Sequence, residues 1–188
     1  MEENIVEMVR KFVEEECKKP NANYPEAYKD HFISMHGIAK KLAEELNADI
    51  ELVEIAAWLH DIGSIISGRE NHHITGAKIA EEKLNELNYP QEKIEKIKIC
   101  ILNHRGSQEE NNQREFIEAK IIAEADSLDA FNNISKQFLT TLVYEKKSLE
   151  EARNSIKNKL QNKWNQIELE ESRKLIKPKY EAAMLLLG

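Results

Sequence analysis

The chain has 188 residues, enough for one domain with a real core and no need of disulfides or a structural metal. Its 27 Lys and Arg against 34 Asp and Glu leave a formal net charge of −7, which excludes a general grip on duplex nucleic acid, since that needs a basic face. Six Gly and four Pro are too few for the many turns of a β-sandwich, and no apolar run approaches the ~18 residues of a membrane span. The opening MEENIVEMVRKF is mixed and acidic and does not read as a signal peptide, so residence in the cytoplasm is expected. Cys17 and Cys100 form no CxxC, which leaves a disulfide framework and a zinc finger unsupported.

Helix follows helix along the chain. Residues 4–18 carry Ile5, Met8, Val9, Phe12 and Val13 at helical spacing. Pro20 and Pro25 bracket a short loop, and a second helix is expected over about 26–46. A third covers about 50–60 and stops near Gly63, and SIISGREN reads as a loop from its Ser, Gly and Asn. A fourth runs from about 71 to 87, and Pro90 opens a fifth over about 91–104. The polar stretch RGSQEENNQRE is a surface loop, and a sixth helix spans about 116–130. Two or three more follow over 133–187, one ending before Pro178. The expected fold class is all-α: one compact helical bundle over 1–188 with additional C-terminal helices.

Polar residues interrupt the apolar stripes of four helices. His31 precedes Met35, Ile38 and Leu42 on one stripe. Leu52, Val53, Ala56 and Ala57 lead to His60, with Asp61 following. Ile97, Cys100 and Ile101 lead to His104; Ala119, Ile122 and Ala123 lead to Asp126, with Asp129 beyond it. Burying several imidazoles and carboxylates is costly unless they satisfy one another. A divalent metal does this, binding neutral imidazole and ionised carboxylate together. His72 and His73 open the fourth helix; His73 aligns with Ala77, Ala80 and Leu84, His72 with Gly76 and Ile79, and the wheel does not choose between them. His73 reads either as a ligand or substrate contact or as a surface residue of the helix N-terminus. Gly76 inside a helix costs about 1 kcal/mol relative to Ala and lets another helix or a ligand approach closely. His36 lies on a different face from His31 and reads as a non-ligand. Trp58 and Trp164 read as core or core-edge aromatics.

The series His31, His60-Asp61 and Asp126 resembles the HD-domain superfamily of metal-dependent phosphohydrolases. The segments AAWLHDIG, NHHITGAKIAEEKL and IAEADSLDAF are similar to its dyad, its histidine-plus-Gly-Ala helix and its closing aspartate motif. The resemblance covers about 26–132, with about 133–188 as a C-terminal helical extension. It implies His31, His60, Asp61 and Asp126 as ligands of one ion, and His72 and His104 as ligands of a second, with Asp61 bridging. The ion is one of Mn, Mg, Fe, Co, Ni or Zn, with one or two per chain. His60 and Asp61 become the catalytic pair, Asp61 orienting or deprotonating the attacking water. Arg69, Arg105 and His73 are the candidate substrate contacts, with Lys159 and Arg173 as further cations in the C-terminal helices.

Several positions depart from the family pattern. Ser64 stands where many relatives have Lys, Ser34 where many have Arg, and Glu124 where Asp is common. No Gly-Tyr-Pro follows His104, which argues against cyclic-di-GMP as substrate. The resemblance thus implies hydrolysis of a small phosphate ester or nucleotide, with a homodimer as one candidate assembly. The alternatives are a di-iron oxygenase on the same fold, or a non-catalytic binding module.

Overall fold

The computed structural model describes residues 4–105 and 114–188; the loop expected over 105–115 lies mostly outside the described residues. Among the described residues every regular element is helical, and no helix is long and apolar enough to cross a membrane. The chain divides into two compact units, one up to Ala125 and one from Asp126.

The first unit holds α1 (Ile5–Lys18), α2 (Ile33–Glu45), α3 (Ile50–Leu59), α4 (Ile62–Ser67), α5 (His72–Glu86) and α6 (Gln91–Leu102). Helix α7 (Ile117–Asn132) begins in this unit and ends in the next. Caps set the starts: the Asn4 side chain accepts from Val6 N, and Asp49 accepts from Leu52 N at 3.1 Å. Each replaces a hydrogen bond that the first turn lacks. Helix α3 is the centre, with Leu52, Val53 and Ile55 through Leu59 all buried, and it packs against α1, α2 and α6. An all-round apolar helix belongs in the middle of a bundle.

The structure corrects three expectations. The helix expected from 26 to 46 begins instead with a π-turn, Tyr28–Phe32, before α2. SIISGREN is helical in its first half: α4 runs through it, because Ile62 and Ile65 are both buried and carry it into the core. Gly63 lies inside α4 rather than ending a helix. A Cβ there would meet His72 O at 2.1 Å and Gly76 N at 2.6 Å. Glycine at 63 is therefore the condition for α4 and α5 to touch backbone to backbone, and Gly76 lies across the same contact.

The second unit contains α8 (Ile134–Leu139), a π-turn (Thr140–Tyr144), α9 (Leu149–Gln166) and α10 (Glu170–Leu187). Ser148 and Glu151 form a reciprocal capping box at the start of α9. The third correction is Pro178, which sits inside α10 rather than after a helix end. It is on an exposed stretch, so the Lys174 carbonyl deprived of its donor is open to water.

Both cysteines are buried and unlinked. Burial pushes the Cys17 thiol up to about 11 and that of Cys100 higher still. The native protein should resist alkylation by iodoacetamide at pH 8, with both thiols labelled only after denaturation, as read by intact mass.

Candidate metal centre

Three histidines in the first unit share one local device. His60 Nδ1 bonds Ala57 O at 2.8 Å, His72 Nδ1 bonds Arg69 O at 2.9 Å, and His104 Nδ1 bonds Ile101 O at 2.6 Å. Each imidazole is at or just past a helix end and bonds back to the carbonyl three residues earlier. A carbonyl only accepts, so Nδ1 carries the proton and the neutral ring presents a bare Nε2 lone pair. That is the orientation a metal-binding histidine needs.

The Nε2 atoms converge on Asp61. Its Oδ1 lies 3.1 Å from His72 Nε2 and 3.5 Å from His104 Nε2. Its Oδ2 lies 3.7 Å from His31 Nε2 and 3.8 Å from His60 Nε2. His31 and His60 approach each other through their Nε2 atoms at 2.9 Å. One carboxylate thus turns one oxygen to each of two histidine pairs. His31 is carried by the π-turn, His60 and Asp61 by the break between α3 and α4, His72 by the first turn of α5, and His104 by the residue pair beyond α6.

Burial works against ionisation of Asp61, yet the imidazoles of His60, His104 and His72, when they carry a second proton, outweigh it and hold the carboxyl well below the ordinary carboxylate range. Its carboxylate in turn raises His72 above the usual imidazole value, against the effect of burial. Asp61 Oδ1 is buried and accepts no well-formed hydrogen bond. An anionic oxygen facing two lone-pair nitrogens calls for a cation between them. The ligand atoms of Asp61, His72 and His104 lie within 4.8 Å of one another, and this donor set of imidazole and carboxylate fits a first-row divalent ion.

The other expected site residues make contacts of their own. Asp126 opens the second unit, and its Oδ2 accepts from Lys163 Nζ at 2.7 Å. Lys163 was not among the expected cations, although Ala152, Ile156 and Leu160 form the buried stripe that leads to it. A lysine on that stripe is the same signal that exposed the histidines. Lys159 is exposed, and Arg173 stacks over the Trp164 ring at 5.3 Å. His73 is 7% exposed, which corrects the surface reading, and its ring meets that of His72 edge to face. Arg69 and Arg105 are exposed; Arg69 O is the anchor of His72, and Arg105 directly follows His104. Asp129 is buried and accepts from Asn133 Nδ2. His36 bonds Glu54 at 3.0 Å and stacks on Trp58, in keeping with its reading as a non-ligand. Ser64 is buried on α4.

The HD domain model matches residues 28–130, more than half of the chain. The chain belongs to the HD-domain family. An uncharacterised protein of Clostridium beijerinckii is 36% identical over 85 residues, which is 43% of this chain and 54% of the relative. A Picrophilus torridus tRNA (cytidine(56)-2'-O)-methyltransferase is 29% identical over 139 residues, 68% of this chain and 38% of the relative. The HD chain therefore spans about half, or less, of the curated relatives it matches. Among solved structures, Bacillus subtilis YpgQ in complex with ADP aligns with TM-score 0.73 at 20% identity, covering 96% of this chain and 92% of that one. A Bacillus thuringiensis HD-superfamily hydrolase aligns at 0.72 and 19%, covering 96% and 91%. A Lactobacillus plantarum protein aligns at 0.77 and 16%, covering 97% and 92%. At these identities the likeness shows a shared all-α fold.

Proposed function

We propose that this HD-domain protein is a metal-dependent phosphohydrolase acting on a small phosphate ester or nucleotide. The observation that carries this reading is the Asp61 carboxylate, with one oxygen turned to His72 and His104 and the other to His31 and His60. A divalent ion held there supplies Lewis acidity, which lowers the pKa of a water and polarises a phosphoryl oxygen. The chain supplies the rest. His31, His60 and Asp61 would hold one position, with Asp126 as the further ligand that the family pattern assigns. His72 and His104 would hold a second together with Asp61. The Nδ1 anchors on Ala57, Arg69 and Ile101 keep the imidazoles aimed without reorganisation. Asp61 stays ionised and orients the attacking water or takes its proton. Arg69 and Arg105 offer guanidinium groups to phosphate oxygens, with His73 beside His72 as a further contact. The ADP complex of the B. subtilis neighbour supports a nucleotide as the ligand class.

Elemental analysis of the purified protein and of His72→Ala tests the metal reading. The wild type should hold two divalent ions per chain and His72→Ala one, with release of inorganic phosphate from nucleotides in the wild type alone or far faster. No metal in either protein after addition of Mn²⁺ or Fe²⁺ overturns the proposal. Iron with oxygen uptake and no phosphate release replaces it with an oxygenase.

A further inference from the structure

The 19–25 segment is fastened to the metal-bearing helices in an uneconomical way for a plain connector. Both the backbone N–H and the side-chain Nδ2 of Asn23 donate to one carbonyl, Ile65 O, each at 3.0 Å. Ile65 belongs to α4, the helix that starts directly after His60-Asp61. The residues that follow the bonded pair on each strand of chain are Tyr24 and Ile66. Both are left in solvent, 42% and 39% exposed, while their neighbour Ile65 is buried. Arg69 then places its Cζ 5.8 Å from the centroid of the Tyr24 ring. Gly68 at φ +87° and Asn71 at φ +50° allow the tight turn on which Arg69 sits. The same Arg69 offers its carbonyl to His72 Nδ1. One residue therefore supports a centre imidazole with its backbone and an exposed aromatic face with its side chain.

We infer that Tyr24, Ile66 and Arg69 form a nucleobase platform beside the metal centre, so that the substrate is a nucleotide rather than a simple phosphate ester. This rests on the phosphohydrolase reading above. An exposed aromatic ring with an aliphatic neighbour accepts any base by stacking. A guanidinium over the ring stacks in the same way and carries positive charge toward phosphate. A ligand with a flat π-system at one end and phosphates at the other uses all three groups; an ester of a small aliphatic alcohol uses only one.

Isothermal titration of the Mn²⁺-loaded protein with each of the four nucleoside triphosphates, and with inorganic tripolyphosphate, tests this. Wild type should prefer nucleoside triphosphate over tripolyphosphate, and Tyr24→Leu should cut that preference about tenfold. Tyr24→Phe should retain it. Tyr24 is exposed, so both variants should fold, which matching thermal unfolding verifies. Equal preference in wild type and Tyr24→Leu overturns the platform, as does a wild type with no preference. The same samples assayed for phosphate release separate the two readings. Binding that Tyr24→Leu weakens, without any turnover, leaves the platform and refutes the hydrolase. Turnover of both compounds with no response to Tyr24→Leu leaves the hydrolase and refutes the platform. Binding of neither compound refutes both.

Discussion

Asp61→Asn should eliminate metal binding and lower phosphate release by at least roughly 10³-fold, equivalent to about 4 kcal/mol of lost transition-state stabilisation. The substitution is nearly isosteric, so the effect is chemical. Oδ1 and Oδ2 of Asp61 face four imidazole nitrogens between them, at 3.1 to 3.8 Å. An amide removes the negative charge that compensates a divalent ion. It also places an NH₂ donor against nitrogens whose lone pairs the Nδ1 anchors leave bare. Mn²⁺ at 100 times its dissociation constant should add about 2.7 kcal/mol to the wild type and nothing to the variant. Thermal unfolding with and without Mn²⁺ reads both. A variant that keeps the wild-type metal stoichiometry would remove Asp61 from the centre.

The residues of the centre were legible because imidazole and carboxylate are conspicuous on an apolar stripe. His60 at the end of Leu52, Val53, Ala56 and Ala57, and His104 after Ile97, Cys100 and Ile101, need only helical periodicity. The side-chain directions were less legible. His72 and His73 are indistinguishable by periodicity, and both are buried; the bond from His72 Nδ1 to Arg69 O, with the 3.1 Å approach to Asp61, shows which ring enters the centre. The π-turn at Tyr28–Phe32 leaves no trace in composition. It is an extra residue in a turn, offset by tertiary contacts such as the stacking of Tyr28 on Trp58 and the bond from Arg10 to the Tyr28 hydroxyl. Helix α4 was hidden by its own Gly and Ser, which signal a loop locally but here serve a close crossing. Pro178 misleads for the converse reason, since an exposed helix tolerates a lost hydrogen bond that a buried one does not. Lys163 carries the same signal: a polar residue following the buried stripe Ala152, Ile156 and Leu160 meets a carboxylate, Asp126, as the histidine after an apolar stripe does.

Gly63→Ala should be the most destabilising single-methyl change in the first unit, and it should reach the centre from behind. The added Cβ would stand 2.1 Å from His72 O, 2.6 Å from Gly76 N and 2.7 Å from Thr75 Oγ1. Two of these are backbone atoms of the first turns of α5, so no side-chain rotation relieves the contact. Helices α4 and α5 must separate, at a cost of about 3 kcal/mol or more. For a chain of this length that lowers the melting temperature by roughly 6–12 °C. His72 belongs to the displaced turn, so its Nε2 withdraws from Asp61 and metal affinity should fall roughly 10- to 100-fold, as for disrupted ligand support. Gly76→Ala makes the same crossing from the other side, but its Cβ meets Gly63 N at 3.3 Å and the Ile101 side chain at 3.5 Å, so a small shift accommodates it. Gly37→Ala meets nothing within 4 Å on an exposed position of α2 and should stabilise the protein by up to about 1 kcal/mol through helix propensity alone. The expected order of stability is Gly37→Ala above wild type, Gly76→Ala below it, and Gly63→Ala lowest. Urea unfolding of the three variants tests the order. A Gly63→Ala protein with wild-type stability and metal affinity would show that α4 and α5 do not cross at the distance described.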